Sequence, residues 1–432
     1  MCLNKLTVKI MYEFFYDESF HDRKISNKLS GLNIHDESKS DSYIGTFFGY
    51  SAQSKNEIEK LLNVFELKYK NLFGLSNNKE LKGTTINTRF YRHGIASLSG
   101  YALSMYQDLF KLLIIQPVFV QVVIQSKTEY LVEQFLDGWI KDNINVFFQN
   151  EFSIPTFKYI FIKYLFHHRF PGILNELVNE KGFVSTSVIK MKIEEVFKSS
   201  LEITMKYERT KEQAMAIQNM LQVFGKLVMP ERIIRIDYKW SYSQVFKGFN
   251  KFINVANIEK ENVSLTIDVE ENTYAAAEKE CYGLLTQVRS DDDLRVRISD
   301  MISNFFGRII YRLHLELKEP NVTDTNSLGL NDYSKRRHIS KEWFQLTEQQ
   351  YELYRDISRF LRKTSNNYWS FYGGVFFDSS MSIIGLILYI GEGYKNYSEY
   401  ISISILEHSE RCTNHILSGL YNQMEKLQLS IF

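Results

Sequence analysis

Hydrophobic and polar positions along this chain fall into two regimes, one suited to strands and one to helices. Residues 7 to 17 and 42 to 50 are rich in β-branched and aromatic types. A polar, turn-prone stretch from His21 to Asp41 separates them, which predicts two strands in a long-looped hairpin. "SKNEIEKLLNVFELKYKNLFG" then sets apolar residues at helical spacing, with Ser54 as a capping candidate and Gly74 as a stop. A second helix through "SLSGYALSMYQDLFKLLI" leads into "PVFVQVVIQS", which is short, β-branched and bounded by Pro117 and Ser126, and so predicts a strand. From Glu129 to about Gly225 the periodicity is helical almost throughout, and Pro230 closes the block.

Strand character resumes in "NVSLTIDVEE", residues 262 to 271. The spacing next predicts helices over "TYAAAEKECYGLLTQVR" and "VRISDMISNFFGRIIYRLHLEL", separated by the charged "SDDDLR". Residues 319 to 338 are polar and turn-rich and read as a linker, and the last hundred residues are again mostly helical. The elements together predict an α/β core, split by a long helical insertion and followed by a helical C-terminal extension.

Two of these strands end on acids, Asp17 in the first and Asp268 in "NVSLTIDVEE". Asp300 is the least expected of the acids, because Ile298, Met301, Ile302 and Phe305 form the apolar stripe of its helix and place it near the buried face. A carboxylate beside a low-dielectric interior is costly unless it is paired, neutralised or bound to a cation. Glu80, in "KELKG", is the fourth acid of the set. Carboxylates brought together repel one another. Two hard divalent ions relieve that repulsion and can activate a water for phosphodiester cleavage.

Four short stretches also carry a resemblance: "FYDES", "ELKG", the strand-end "LTID" and the helical "ISDMI". In this order they are similar to a bacterial family, the domain of unknown function numbered 3800, which is regarded as having a ribonuclease H-like fold. The resemblance implies a ribonuclease H-like mixed sheet core and a two-metal nuclease acting on RNA or DNA with Mg²⁺ or Mn²⁺. It implies Asp17, Glu80, Asp268 and Asp300 as catalytic metal ligands, Glu18 as a further ligand candidate, and Lys82 as a substrate (phosphate) contact. It also suggests a setting in antiviral defence of bacteria against phage. This chain departs from the family pattern at Ser299, where Ala is expected, and in the long insertion before Asp268. Asp237, in "RIIRIDYKW", also ends a strand-like run and is the alternative third acid.

On this reading the core comprises residues 1–128 and 231–318, the helical insertion 129–230, and the helical C-terminal region 319–432. The helical parts would select substrate or bind a protein partner. The competing expectation is a non-catalytic scaffold or protein-binding module on a degenerate nuclease fold. A strand-transfer enzyme would use the same ions.

Bulk properties change this picture little. Basic and acidic residues number 52 and 51, so net charge does not announce a nucleic-acid partner. The three cysteines are scattered and odd in number, which argues against a disulfide framework and for a reducing compartment. The N-terminal residues do not read as a signal peptide, and "LLIIQPVFVQVVIQ" and "MSIIGLILYI" are too short to span a membrane, so a cytoplasmic protein with no membrane partner is expected.

The remaining candidates have simpler readings. His408, Cys412 and His415 share one helical face but lack a fourth zinc ligand. His167 and His168 suit a satisfied core or boundary position, and "SDDDLR" a solvated turn. "YSKRRH" and "YRDISRFLRK" read as a solvated linker and an amphipathic helix rather than as phosphate contacts. "YIGEGYKN" lacks the lysine and hydroxyl of a phosphate-binding loop.

Overall fold

The structure, a computed structural model, describes residues 11–19, 25, 27–28, 31–32, 42–76, 79–150, 152–162, 183–206, 211–229, 233–238, 240–317, 339–364, 370–373, 378–413 and 415–416. The linker expected over 319–338, His167, His168 and "YSKRRH" lie outside the described residues.

The first strand, β1 (Tyr12–Ser19), runs two residues past Asp17. It pairs antiparallel with β2 (Ser42–Ser51), which is followed by helix α1 (Lys55–Leu72). Helix α2 (Gly100–Ile115) leads to β3 (Val118–Ser126), antiparallel to β2. The chain then enters helices α3 (Lys127–Asp142), α4 (Ile154–Ile162), α5 (Thr186–Thr204) and α6 (Lys211–Lys226). A short strand pair joins Phe183–Ser185, inside the stretch expected to be helical, to Ile233–Arg235 in the strand-like run before Asp237. Helix α7 (Ser243–Val255) returns the chain to the sheet at β4 (Val263–Asp268), parallel to β1.

After β4 the sequence expectation fails. In place of one helix over 273–289 the chain forms α8 (Glu271–Glu278) and then β5 (Leu284–Val288), parallel to β4. Cys281 adopts a positive φ of 58°, which ends the helical course, and "LLTQV" is an apolar run too short for periodicity to tell strand from helix. A parallel partner for β4 also requires a crossover helix, which α8 supplies.

The 24-residue α9 (Leu294–Leu317) covers one face of the sheet. Near the C-terminus come α10 (Glu348–Leu361), β6 (Phe371–Gly373) and α11 (Asp378–Glu392). The finished sheet has the order β6-β3-β2-β1-β4-β5. The C-terminal region is therefore no appended extension: β6 pairs with β3, α10 packs on α2, and α11 packs on α9 and α10.

β1 is central and covered on both sides, which explains its nearly unbroken apolar run. Phe15 faces the core shared with Phe48, Phe110, Phe305 and Trp343. Phe14 and Tyr16 face the other core, where Phe47 stacks on Phe249 at a centroid distance of 4.1 Å. Apart from Ile25, the third core is confined to residues 131–236, with Phe135, Trp139, Phe161, Phe197 and Phe224 at its centre. The helical insertion thus buries apolar surface of its own. Among the described residues no helix is long and apolar enough to cross a membrane.

Candidate functional site

Parallel pairing of β1 with β4 matches Tyr16 to Ile267, which leaves Asp17 and Asp268 one step further along adjacent strands. Strand alternation turns Asp17 to the Phe15 side, toward α9. Two serines seat that helix on β1: Ser299 Oγ donates to the Phe15 carbonyl at 2.9 Å, and the Ser19 and Ser303 hydroxyls meet at 2.9 Å. Asp300, on the same turn, is thereby brought to the end of β1. Asp17, Asp268 and Asp300 converge from two strands and a helix, and Asp17 feels the charge of both others.

Protein donors hold each carboxylate. Asp300 Oδ2 accepts the Gly83 amide at 2.9 Å, and Oδ1 accepts Asn304 Nδ2 at 2.7 Å. Asn304 Nδ2 also reaches Ser19 Oγ at 2.8 Å. Asp268 Oδ1 accepts the amides of Val269 and Ser290 at 2.8 and 2.9 Å, and Asp17 Oδ1 accepts the Glu18 amide at 2.8 Å. Two arginines on the same helix are engaged elsewhere: Arg297 binds Glu66 at 2.8 Å, and Arg308 donates to the Ile86 carbonyl.

"ELKG" forms the other wall. Leu81 is buried, and Gly83 lies so close to α9 that a Cβ there would come within 2.3 Å of Asn304 Cβ. Between these anchors Lys82 is directed at the acids. Its ammonium lies 2.6 Å from Glu80 Oε2 and 3.5 Å from Ser290 Oγ. Glu80 therefore reaches the cluster as the partner of Lys82, and Lys82 contacts protein carboxylate where a phosphate contact was expected.

Burial pushes the Asp17 carboxyl well above the usual range, and the charges of Asp300, Glu18 and Asp268 push it further. Asp300 is also raised by burial, against the opposing effects of the Gly83 amide, Asn304, Lys82 and Arg308. Burial pulls Lys82 down, but hydrogen bonding and attraction to Glu80, with the charges of Asp300 and Asp17, leave it raised. This is a site of concentrated negative charge that Lys82 and Arg308 partly compensate.

Glu18 does not join it. As the next residue on β1 it points to the opposite face of the sheet, beside Tyr16 and Tyr43, whose hydroxyls meet at 2.6 Å. Burial, with the charge of Glu270, pushes its carboxyl up to about 8. Glu18 is thus withdrawn as a fifth ligand. Asp237 follows the separate short strand pair, and its backbone is clasped by the Gln134 side chain at 2.7 and 2.9 Å, so Asp268 is the acid that stands with Asp17.

The His408, Cys412 and His415 trio is equally unlike a metal site. His408 Nδ1 lies 3.0 Å from the Tyr389 hydroxyl and Nε2 lies 2.9 Å from the Tyr400 carbonyl, while Cys412 is a buried free thiol. Among the described residues no group of three or more His, Cys, Asp or Glu side chains stands arranged to hold a metal ion. The acids are oriented toward amides, Asn304 and Lys82.

Sequence reasoning missed Ser19, Ser303 and Asn304, which join β1 to Asp300. Their signal was present: Ser299, Asp300, Ser303 and Asn304 recur at helical spacing as a narrow polar stripe inside an otherwise apolar helix face. No family model matches the chain, and no curated protein or solved structure matches it.

Proposed function

We propose that this chain is a divalent-metal-dependent nuclease, hydrolysing RNA or DNA at Asp17, Asp268 and Asp300 on a ribonuclease H-like arrangement. The observation that carries the reading is that three carboxyls, from β1, β4 and α9, stand near one another, with Asp17 raised by burial and then by the charges of Asp300, Glu18 and Asp268. Structural acids normally stand apart or beside a cation, so such crowding favours a ligand that supplies positive charge. The topology is consistent: an antiparallel β1-β2-β3 meander with two further strands parallel to β1 on its other side suits a ribonuclease H-like sheet. Oxygen-only donors suit Mg²⁺ or Mn²⁺. Bound there, such ions would supply an activated water and neutralise charge at the leaving oxygen. The three aspartates would hold the metal, and Glu80 would join them on release from Lys82, leaving that ammonium for a phosphate oxygen. The test is cleavage of labelled RNA and DNA by the purified chain with Mn²⁺, repeated after Asp17→Asn. Metal-dependent cleavage lost in the variant supports the proposal; cleavage that survives Asp17→Asn overturns it.

One observation favours a second reading, a non-catalytic scaffold. The acids are already satisfied by protein donors, and no three of them stand arranged as a metal site. On that reading Lys82 is a permanent counter-ion. Mn²⁺ would then leave the unfolding temperature unchanged, whereas a ligand bound by the folded state alone raises it.

A further inference from the structure

β5 forms one margin of the sheet, with β4 on one side and, among the described residues, no backbone group hydrogen-bonded along the other. Alternate residues of a strand so placed turn their N–H and C=O groups outward, a template for one more strand. Proteins blunt such a margin with a charge, a proline, a bulge or a covering segment. "LLTQV" carries neither charge nor proline, its pairing with β4 runs unbroken over all 5 residues, and Leu284 is 45% exposed. The opposite margin, β6, is only 3 residues long and offers less to pair with.

The side chains of β5 are also sorted for pairing with themselves. Leu285 packs toward the core of Phe14 and Tyr16, and Gln287, on the same face, donates to the Glu270 carbonyl at 3.4 Å. Val288 packs toward the core of Phe15, and Thr286, on that face, meets the Thr266 hydroxyl at 2.9 Å. Two copies of the strand laid antiparallel about a two-fold axis at Thr286 would set Leu284 opposite Val288, Leu285 opposite Gln287, and Thr286 opposite Thr286. Opposed residues share a face, so the cores of the two copies stay on their own sides and the exposed Leu284 gains an apolar neighbour. No like charges meet within the strand, and the first charge beyond it, Arg289, falls opposite Gly283.

We infer that β5 is a dimerisation edge, at which a second copy of this chain adds its own β5 antiparallel and continues the sheet across a two-fold axis. A strand from another protein would satisfy the same backbone groups, but the side chains of this edge complement one another without any charge needing an outside partner. A two-fold contact is self-complementary and closes, so pairing stops at two copies rather than running on into a fibre. Neither the aspartate cluster nor an ion takes part in the contact. An edge of 5 residues makes a small interface, which places association at the weak end of the range.

The experiment is sedimentation velocity of the full chain from about 1 to about 100 µM, where a small interface assembles. It compares wild type, Thr286→Lys, Thr286→Glu and an equimolar mixture of the two variants, with thermal unfolding of each. Wild type is expected to pass from monomer to dimer as concentration rises. Each variant alone opposes like charges at the axis and is expected to dimerise at least about tenfold more weakly. The mixture opposes lysine to glutamate and is expected to recover the dimer. A wild type that stays monomeric overturns the inference and leaves the edge to a strand of another protein or to none. A dimer that persists in both variants, or a mixture that fails to recover it, overturns the pairing at Thr286 and the inference with it. If the variants at 286 unfold, Leu284→Lys, at an exposed position, carries the test: a lysine on the edge is expected to weaken the dimer about tenfold, and an undiminished dimer overturns the inference.

Discussion

The backbone amide of Gly83 donates to Asp300 Oδ2 at 2.9 Å, joining positions 217 residues apart. That single bond seats the "ELKG" segment on α9 and decides where Lys82 and Glu80 stand. Glycine is required for close approach, since a Cβ at position 83 would meet Asn304 Cβ at 2.3 Å. Gly83→Ala is therefore expected to cost about 1–3 kcal/mol, as overpacking of a close contact does. It should also weaken Mn²⁺ binding, because Asn304 is one of the two donors on Asp300. Urea unfolding and metal titration of one preparation check this, and an unchanged urea midpoint would count against the contact.

Asp17 and Asp300 are expected to part company on stability while agreeing on activity. Asp17 is opposed by burial and by three carboxylates, with the Glu18 amide as compensation, so Asp17→Asn should hold or raise the unfolding midpoint of the metal-free protein. Asp300 accepts from two donors through two oxygens, and an amide has one acceptor oxygen. Asp300→Asn therefore turns an N–H group toward either Gly83 or Asn304, and should lower stability by about 1–3 kcal/mol. Both variants should lose Mn²⁺-dependent cleavage by more than about 100-fold. Calorimetry separates the pair; equal unfolding midpoints would contradict the assigned contacts.

Much of this site was legible in the residues and some was not. Asp17 and Asp268 could be found because a strand period of two exposes an acid at the end of an apolar run, and Asp300 because it interrupts a helical stripe. Glu18 was misplaced because nearness in sequence is not nearness on a strand, where neighbours point to opposite faces. β5 was lost because "LLTQV" is too short to show its period, and its pairing with β4 is settled by a non-local partner. The place of the C-terminal region was hidden for the same reason: periodicity reports a helix, and says nothing about which face of which sheet it will cover.

Glu18 gives the protein a measurable pH dependence away from the aspartate cluster. Burial, with Glu270 adding to it, raises this carboxyl from 4.5 to about 8 in the folded chain. Between those values the folded state binds more protons than the unfolded state, so stability falls as pH rises from about 4.5 through about 8. Asp17 and Asp300, also raised, act with the same sign. Glu18→Gln removes the Glu18 share together with the part of the Asp17 shift that the Glu18 charge supplies, and both have the same sign. Its urea midpoint should gain on wild type progressively from pH 5 to pH 8, and a constant difference across that range would refute the assignment.

The C-terminal region offers the last test, because its role decides whether the site can exist on a shorter chain. Phe306 of α9 meets Phe371 of β6 edge-on at 4.6 Å and stacks with Phe360 of α10 at 6.3 Å. Gln350, also on α10, donates through Nε2 to the carbonyls of Ala96 and Leu98 at 3.0 and 2.8 Å, tying the segment after "ELKG" to the same helix. Trp343 is fully buried in the core that contains Phe305 and Phe306. A chain ending at residue 318 would leave this face of α9 uncovered, and a large exposed apolar face drives association. It is therefore expected to aggregate or to lack a cooperative unfolding transition, with Mn²⁺ binding lost as a consequence. Phe306→Ala in the full chain is expected to cost about 3–5 kcal/mol, since it removes a ring packed by both α10 and β6. A monomeric, cooperatively unfolding chain of residues 1–318 would show that the C-terminal helices and β6 are not part of the core that supports Asp300.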